Sequence, residues 1–424
     1  MVTPATTPSL AASSLWRNGD FLRLWSAQAV SSFGARIARE GLPMAAVVAL
    51  AATPAQVGIL AAMVRGPGLL IGLFGGGLID RSRRRPILIG ADLGRALVLG
   101  VIPLAAAMHM LGIAHVYIAG ALVGAMSVMF DIADHAYLPG LIERDQLVDG
   151  NAKLAATESV AEIGGPSVAG VLFQVFTAPI AVAANAATYL ISAILLMGIR
   201  KAEPAPAPPL EGQQHPLSDF AAGLSVALAH PLVRPMLWMS AFSAFFGSFY
   251  SALYTVYAIR TLGLTTPMLG LTISVGGVGA LIGAALAAPL IRRLGLGPAM
   301  LFTWLATSAS SLFIPFATGG PIAGMAFLMV SQLIGDSLGT VVEIASRTLR
   351  QTALPLEVMG RVGAVFAAVA GFVGVVGALT GGWLGVAIGS RETLLIASAG
   401  LIVAPLIGLM TPLRTQREVP EQIG

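Results

Sequence analysis

The 424-residue chain contains no cysteine, which excludes disulfides, thiol catalysis and cysteine-based metal sites. Its five histidines (His109, His115, His135, His215 and His230) have no metal-ligand spacing, so no metal is expected. Charge is scarce: 10% of residues are Asp, Glu, Lys or Arg. A water-soluble domain carries about 25%, so this chain lacks the polar skin that faces water. No G-x-x-x-x-G-K-[ST] loop and no G-x-S-x-G elbow occur, and neither an enzyme nor a cofactor is indicated. The first 15 residues are rich in Pro, Thr and Ser without a basic stretch, so no cleaved signal peptide is expected.

What is present is apolar sequence in membrane-length runs. Hydrophobic residues make up 56% of the chain, and the mean hydropathy is +0.85. About 20 apolar residues in a helix cross a hydrocarbon core about 30 Å thick. Twelve candidate spans occur, at 22–48, 55–79, 87–108, 113–136, 154–177, 180–199, 235–259, 267–291, 297–316, 321–345, 361–388 and 393–411. Between the sixth and seventh lies a connector with Pro204, Pro206, Pro208 and Pro209, followed by a mildly amphipathic segment from Leu217 to His230. The expected organisation is an all-α membrane protein. It comprises a six-helix bundle (1–200), a linker (201–234) and a second six-helix bundle (235–424).

The pI near 9.8 does not mark a nucleic-acid binder, because the basic residues are dispersed among short loops. Arg17, Arg23, the Arg81–Arg85 cluster, Arg144, Lys153, Arg200, Lys201, Arg292, Arg293, Arg347, Arg350, Arg361, Arg414 and Arg417 fall on one side; Arg260 and Arg391 fall on the other. The positive-inside rule then puts both termini in the cytoplasm. The halves also repeat: a displacement of 212 residues brings Gly58 onto Gly270 and the turn at Gly76–Arg85 onto 288–297. Pro166 and Gly170 are expected to correspond to Gly377 and Gly381.

The turn itself reads Gly76-Gly77-Leu78-Ile79-Asp80-Arg81-Ser82-Arg83-Arg84-Arg85-Pro86. It resembles the loop 2–3 signature of the major facilitator superfamily, G-x-x-x-D-R-x-G-R-R, with Arg83 in place of the second Gly. The resemblance implies twelve helices in two pseudo-symmetric bundles around a central cavity. It implies an inner gate of Gly76, Asp80, Arg81, Arg84 and Arg85, with Asp80 near Met359-Gly360-Arg361 and Arg84 paired to an acid low on span four. Asp131 is the natural partner, one turn from His135. By the displacement of 212, Asp131 and His135 map onto Glu343 and Arg347, a second acid–base pair four residues apart. The alternative is that these charges anchor helix ends in the headgroup region.

Span five carries Gly164-Gly165-Pro166-Ser167-Val168-Ala169-Gly170, which resembles the antiporter signature G-x-x-x-G-P-x-x-G-G at Gly165, Pro166 and Gly170. Ordinary close helix packing is the alternative for these small residues. Ionisable residues inside spans are costly, so each is a functional candidate. Glu162, Glu158, Glu40 and Asp336 are the candidates for proton coupling; Arg36, Arg39, Arg65, Tyr250 and Tyr254 are the candidates for a substrate cavity. Arg36 and Glu40, four apart, are able to pair; Glu162 is expected to stand as a carboxylate beside Glu158. Tyr257, Phe245, Phe246 and Phe249 extend the aromatic stripe of span seven.

Further resemblance, to the drug:proton antiporter branch with its macrolide-efflux and enterobactin-exporter-like members, rests on three more segments. These are Phe21-Leu22-Arg23-Leu24-Trp25-Ser26-Ala27-Gln28, Thr53-Pro54-Ala55-Gln56-Val57-Gly58 and Ala91-Asp92-Leu93-Gly94-Arg95-Ala96. It implies a monomeric inner-membrane transporter that exports an amphiphilic small molecule against protons, with membrane lipid around it. Two alternatives stay open. One is a dedicated carrier of a siderophore or lysophospholipid, favoured by Arg36, Arg39 and Arg65 as partners for an anionic group; the other is a membrane sensor or assembly partner that moves nothing. The charge asymmetry predicts that a reporter fused after Gly424, or inserted between Pro204 and Pro209, reads cytoplasmic; a periplasmic signal at either place contradicts the topology.

Overall fold

The computed structural model describes residues 15–74, 82–203 and 216–417. Every regular element among the described residues is a helix. Six long helices make the first half: α1 (Gly19–Ala49), α2 (Pro54–Phe74), α3 (Arg84–Ala107), α4 (Ile113–Leu141), α5 (Leu147–Val175) and α6 (Ala178–Met197). A shorter helix, α7 (Pro216–Ala229), precedes the second half: α8 (Val233–Val256), α9 (Thr266–Leu294), α10 (Leu296–Ser310), α11 (Gly320–Ala353), α12 (Leu356–Ala387) and α13 (Ser390–Gly408). A π-helical turn, Tyr257–Thr261, extends α8, and a 3-10 turn, Ser311–Phe313, extends α10.

Local chemistry sets the helix ends. The Asn18 side chain accepts from the backbone N–H groups of Asp20 and Phe21, each at 3.1 Å, and so caps α1. Proline stands in the first turn of α6, α9 and α11, where its missing N–H costs nothing. Gly295, at φ +87°, is both the last cap of α9 and the first of α10, a reversal in one residue that a side chain would strain.

Nine of the described helices are long and apolar enough to cross a membrane by composition alone. The other three long helices fall short for visible reasons. Helices α1 and α5 carry several charges each, Arg36, Arg39 and Glu40 on the first and Glu158 and Glu162 on the second, and α10 has 15 residues before its 3-10 continuation. Helices α4, α5, α11 and α12 run well past the apolar spans expected for them. Their polar extensions meet across the short joins 142–146 and 354–355, where hydropathy gives no signal.

The repeat is sharper in three dimensions than in the sequence. A displacement of 212 carries the starts of α2, α3 and α6 onto those of α9, α10 and α13, and the ends of α4 and α5 onto those of α11 and α12. It also corrects the expected correspondence of span five. A Cβ on Gly58 would lie 2.5 Å from the Ala378 carbonyl oxygen and 3.0 Å from Gly382 Cα. A Cβ on Gly270 would lie 2.3 Å from the Pro166 oxygen and 3.2 Å from Gly170 Cα. Pro166 and Gly170 therefore correspond to Ala378 and Gly382, one residue beyond Gly377 and Gly381. Gly377 and Gly381 serve a different contact, against Phe245 and Phe249 of α8.

These bare-backbone contacts hold the bundles together at one face of the molecule. One apolar core there draws on both halves, with Leu42, Val47, Val57 and Leu60 from the first and Leu253, Val256, Leu269 and Leu394 from the second. At the other face, where both described termini lie, the core divides: one cluster belongs wholly to the first half and another wholly to the second. The bundles are thus joined at the far face and parted at the terminal face. Gly58→Val or Gly270→Val puts a side chain into filled backbone contact, a change that costs about 1–3 kcal/mol. Each is expected to lower the thermal midpoint of the purified protein by several degrees. Gly100→Ala, with nothing within 4 Å of the new methyl, leaves the midpoint in place; equal midpoints for all three contradict the packing assignment.

Candidate functional site

Between the parted bundles lies a cavity of about 1590 Å³ that reaches from Val57, Leu60 and Ile314 to Asp219, Phe220 and Arg361 at the terminal face. All five cavity candidates read from the sequence (Arg36, Arg39, Arg65, Tyr250 and Tyr254) line it, as do Glu40, Glu158 and Asp336.

One wall is an ionic network between α1 and α5. Gly165 makes it possible, because a Cβ there would lie 2.4 Å from the Arg36 Cβ. The Arg36 guanidinium bridges Glu162 and lies 3.6 Å from Glu158. Arg39 donates to Glu162 at 2.8 Å and to Glu40 at 3.0 Å. Two sequence expectations change here. Glu40 pairs with its neighbour Arg39 rather than with Arg36, and Glu162 is not a lone carboxylate but the acid shared by two guanidiniums. Two guanidiniums offset two of the three carboxylates, so charges that would each be costly in the membrane are largely matched and one acid is in excess.

The facing wall is sparser. Arg65 Nη1 on α2 donates to Ser248 Oγ on α8 at 2.9 Å. Tyr250 Oη is 2.6 Å from Ser398 Oγ, while the buried Tyr254 hydroxyl has no hydrogen-bond partner among the described residues. The expected aromatic stripe divides, since Tyr257 and Phe249 are buried in the core while Tyr250 and Tyr254 face the cavity. Phe245, Phe246 and Phe249 pack edge-to-face or tilted at 5.1–5.6 Å between ring centroids. Pro166 and Gly170 sit at the α5–α9 seam, where Ser167 Oγ and Ser274 Oγ are 2.7 Å apart.

Gly76, Asp80 and Arg81 lie outside the described residues. Arg84 does not pair with Asp131: its backbone N–H and that of Arg85 donate to the Glu203 carboxylate at 2.6 and 3.0 Å, capping α3. The Arg84 guanidinium lies 3.9 Å from the same acid. Arg85 donates to the carbonyls of Leu196 and Met197. Asp131 instead lines the cavity. Of the two acid–base repeats, Glu343 and Arg347 form an exposed salt bridge at 3.0 Å, whereas no such bond joins Asp131 to His135. Arg361 bonds Asp219 of α7 at 3.0 Å.

Sequence reading missed three polar features. Asp92 and Arg95 form a fully buried pair on α3, with the Arg95 guanidinium between the Phe130 and Tyr189 rings at 4.5 and 4.4 Å. Gln28 of α1 bonds Asp134 of α4. Asp20 accepts from the backbone N–H groups of Arg200 and Lys201 at 3.0 Å each. The segment Ala91–Ala96 was noticed as a motif, and its Asp and Arg three apart inside an apolar run were the signal for the buried pair. Glu203 gave none, because its partner is a helix end 118 positions away in sequence.

The family model for the Major Facilitator Superfamily matches residues 24–378. The "Uncharacterized MFS-type transporter YfiS" of Bacillus subtilis is 25% identical over 93% of this chain and 94% of its own length. The "Enterobactin exporter EntS" of Shigella dysenteriae is 24% identical over 87% of this chain and 86% of its own. Among solved structures, nucleoside transporter NupG (D323A mutant) superimposes with a TM-score of 0.75 at 11% identity, covering 92% of this chain and 98% of that one. A bacterial homologue of the iron transporter ferroportin, in an inward-facing state, gives 0.72 at 17% identity over 92% and 98%. At such identities the structures speak for the fold alone. With the family match over most of the sequence, two six-helix repeats and a cavity between them, the chain belongs to the major facilitator superfamily: it is a multi-pass membrane transporter.

Proposed function

We propose that this transporter lies in the inner membrane with both termini in the cytoplasm, and that it exports an amphiphilic small molecule by alternating access in exchange for protons. The observation that carries the reading is the cavity itself: bounded by glycine contacts at one face, reaching the basic terminal face among the described residues, and lined by both apolar and ionic groups. Two bundles that meet through bare backbone can rock about that seam, which would expose the same cavity to each side in turn. Among the four coupling candidates, Glu40, Glu158 and Glu162 each meet a guanidinium. Asp336 meets none at salt-bridge distance among the described residues, so a proton on it breaks no ion pair. This favours Asp336 over Glu162 as the coupling acid.

A dedicated siderophore carrier is the second reading, supported by likeness to a relative named as an enterobactin exporter. Against it, Arg36 and Arg39 are already matched by three acids and are not free for an anion.

Purified protein in proteoliposomes is expected to catalyse counterflow of at least one probe among ethidium, a catecholate siderophore and a lysophospholipid. A pH gradient should drive accumulation of that probe, and a protonophore should abolish it. Asp336→Asn is expected to lose the gradient-driven accumulation while counterflow at saturating probe persists. Absence of both activities with every probe would favour a membrane sensor that moves nothing.

A further inference from the structure

Most charges on the cavity wall are spoken for within the wall. Arg36 and Arg39 are held by Glu40, Glu158 and Glu162. Arg95 holds Asp92, and Arg361 holds Asp219. Asp131 stands within electrostatic reach of Arg95, His135 and Arg36. Three charges of the wall have no salt bridge among the described residues: Asp131 and Arg65 of the first bundle and Asp336 of the second. Of these, Arg65 and Asp336 are of opposite sign and on opposite bundles. Arg65 of α2 meets a neutral hydroxyl, Ser248, and pairs with no carboxylate among the described residues. Asp336 of α11 lies against bare backbone, with its Oδ2 2.0 Å from where a Cβ on Gly276 would stand. Both side chains are exposed to the cavity. Both line the same cavity, and Arg39 lies within Coulombic reach of each.

The repeat gives neither charge a packing role. The displacement of 212 carries Arg65 onto Gly277 and Gly124 onto Asp336. Gly277 is pressed against Ile163, and Gly124 against the Val64 carbonyl, where a Cβ would lie 2.7 and 2.0 Å from its neighbours. Each charge therefore stands where the other half keeps a contact glycine.

We propose that the cavity binds a zwitterionic amphiphile, with its anionic group at Arg65 and Ser248 and its cationic group at Asp336. The apolar body would lie against Tyr254 and the apolar wall at Leu60 and Ile314. The physical reason is the cost of a stranded charge. A ligand of one sign satisfies one of the two groups and leaves the other desolvated without a partner, whereas a zwitterion satisfies both. Binding stands on the geometry alone; movement of the zwitterion rests on the transporter reading above.

The test uses three probes with one octyl tail: octyl sulfobetaine, octyltrimethylammonium and octyl sulfate. Their binding to the full chain in lipid nanodiscs is measured calorimetrically against empty nanodiscs. The sulfobetaine is expected to bind about tenfold more tightly than either singly charged probe, the ratio that about 1.4 kcal/mol produces. Arg65→Gln should bring the sulfobetaine to the level of octyltrimethylammonium, and Asp336→Asn to that of octyl sulfate. Asp336→Glu should restore the preference, which a purely structural role would not predict. A sulfobetaine bound no more tightly than the others overturns the proposal, as do variants that weaken all three probes equally. Counterflow separates the two readings. Tight zwitterion binding without exchange supports this site and sinks the transporter mechanism; exchange of a singly charged probe alone does the reverse.

Discussion

Two stripes of bare backbone, α2 on α12 and α5 on α9, set the shape of everything else in this molecule. At Gly58, Gly382, Gly170 and Gly270 the helices approach so closely that a single methyl would strike a neighbouring carbonyl or Cα. In a bilayer, helices gain little by hiding apolar side chains from equally apolar lipid, so close packing is what associates them. Placing that packing at one face leaves the other face free to part. The cavity is the consequence of this asymmetry, and the single shared core at the far face is its counterpart.

Into that cavity the chain directs ions that a membrane tolerates only when they are matched. The α1–α5 network of Arg36, Arg39, Glu40, Glu158 and Glu162 is largely self-neutral. It acts as a polar wall more than as a ligand-binding array. The same logic places the Asp92–Arg95 pair deep in the first bundle, capped by aromatic faces, where it stiffens α3 against α4 and α6. At the terminal face, Asp20 and Glu203 use carboxylates to cap backbone N–H groups, tying the start of the linker to the first bundle. Asp219 ties α7, within the linker, to α12 of the second bundle through Arg361.

Much of this was legible in the sequence because the bilayer imposes length and polarity rules on every span. The twelve helices follow from the length of the apolar runs and the central cavity from the family resemblance, while Arg36, Arg39, Arg65, Tyr250 and Tyr254 stand out as rare charges and aromatics in those runs. Partner choice was not legible. Arg36 reaches across to Glu158 and Glu162 rather than to Glu40 on its own helix, because Gly165 lets α5 come close enough. Arg84 meets Glu203 rather than Asp131, since a helix N-terminus and a nearby acid form a better match than any spacing rule reveals. The one-residue error in placing Pro166 and Gly170 on the second half has a similar origin. Adjacent glycines, Gly381 and Gly382, face different neighbours, and only the contacts tell them apart.

Rocking of the two bundles about the glycine seam is measurable in nanodiscs by pulsed electron–electron distances between spin-label pairs, which are easily introduced because the sequence has no cysteine of its own. One pair, at Glu143 and Leu356, reports across the terminal face; another, at Met110 and Ile322, reports across the far face, all four positions being exposed. Between pH 8 and pH 5, with and without bound amphiphile, the account predicts that the first distance shortens as the second lengthens. Distances that stay fixed at both faces under every condition would contradict it.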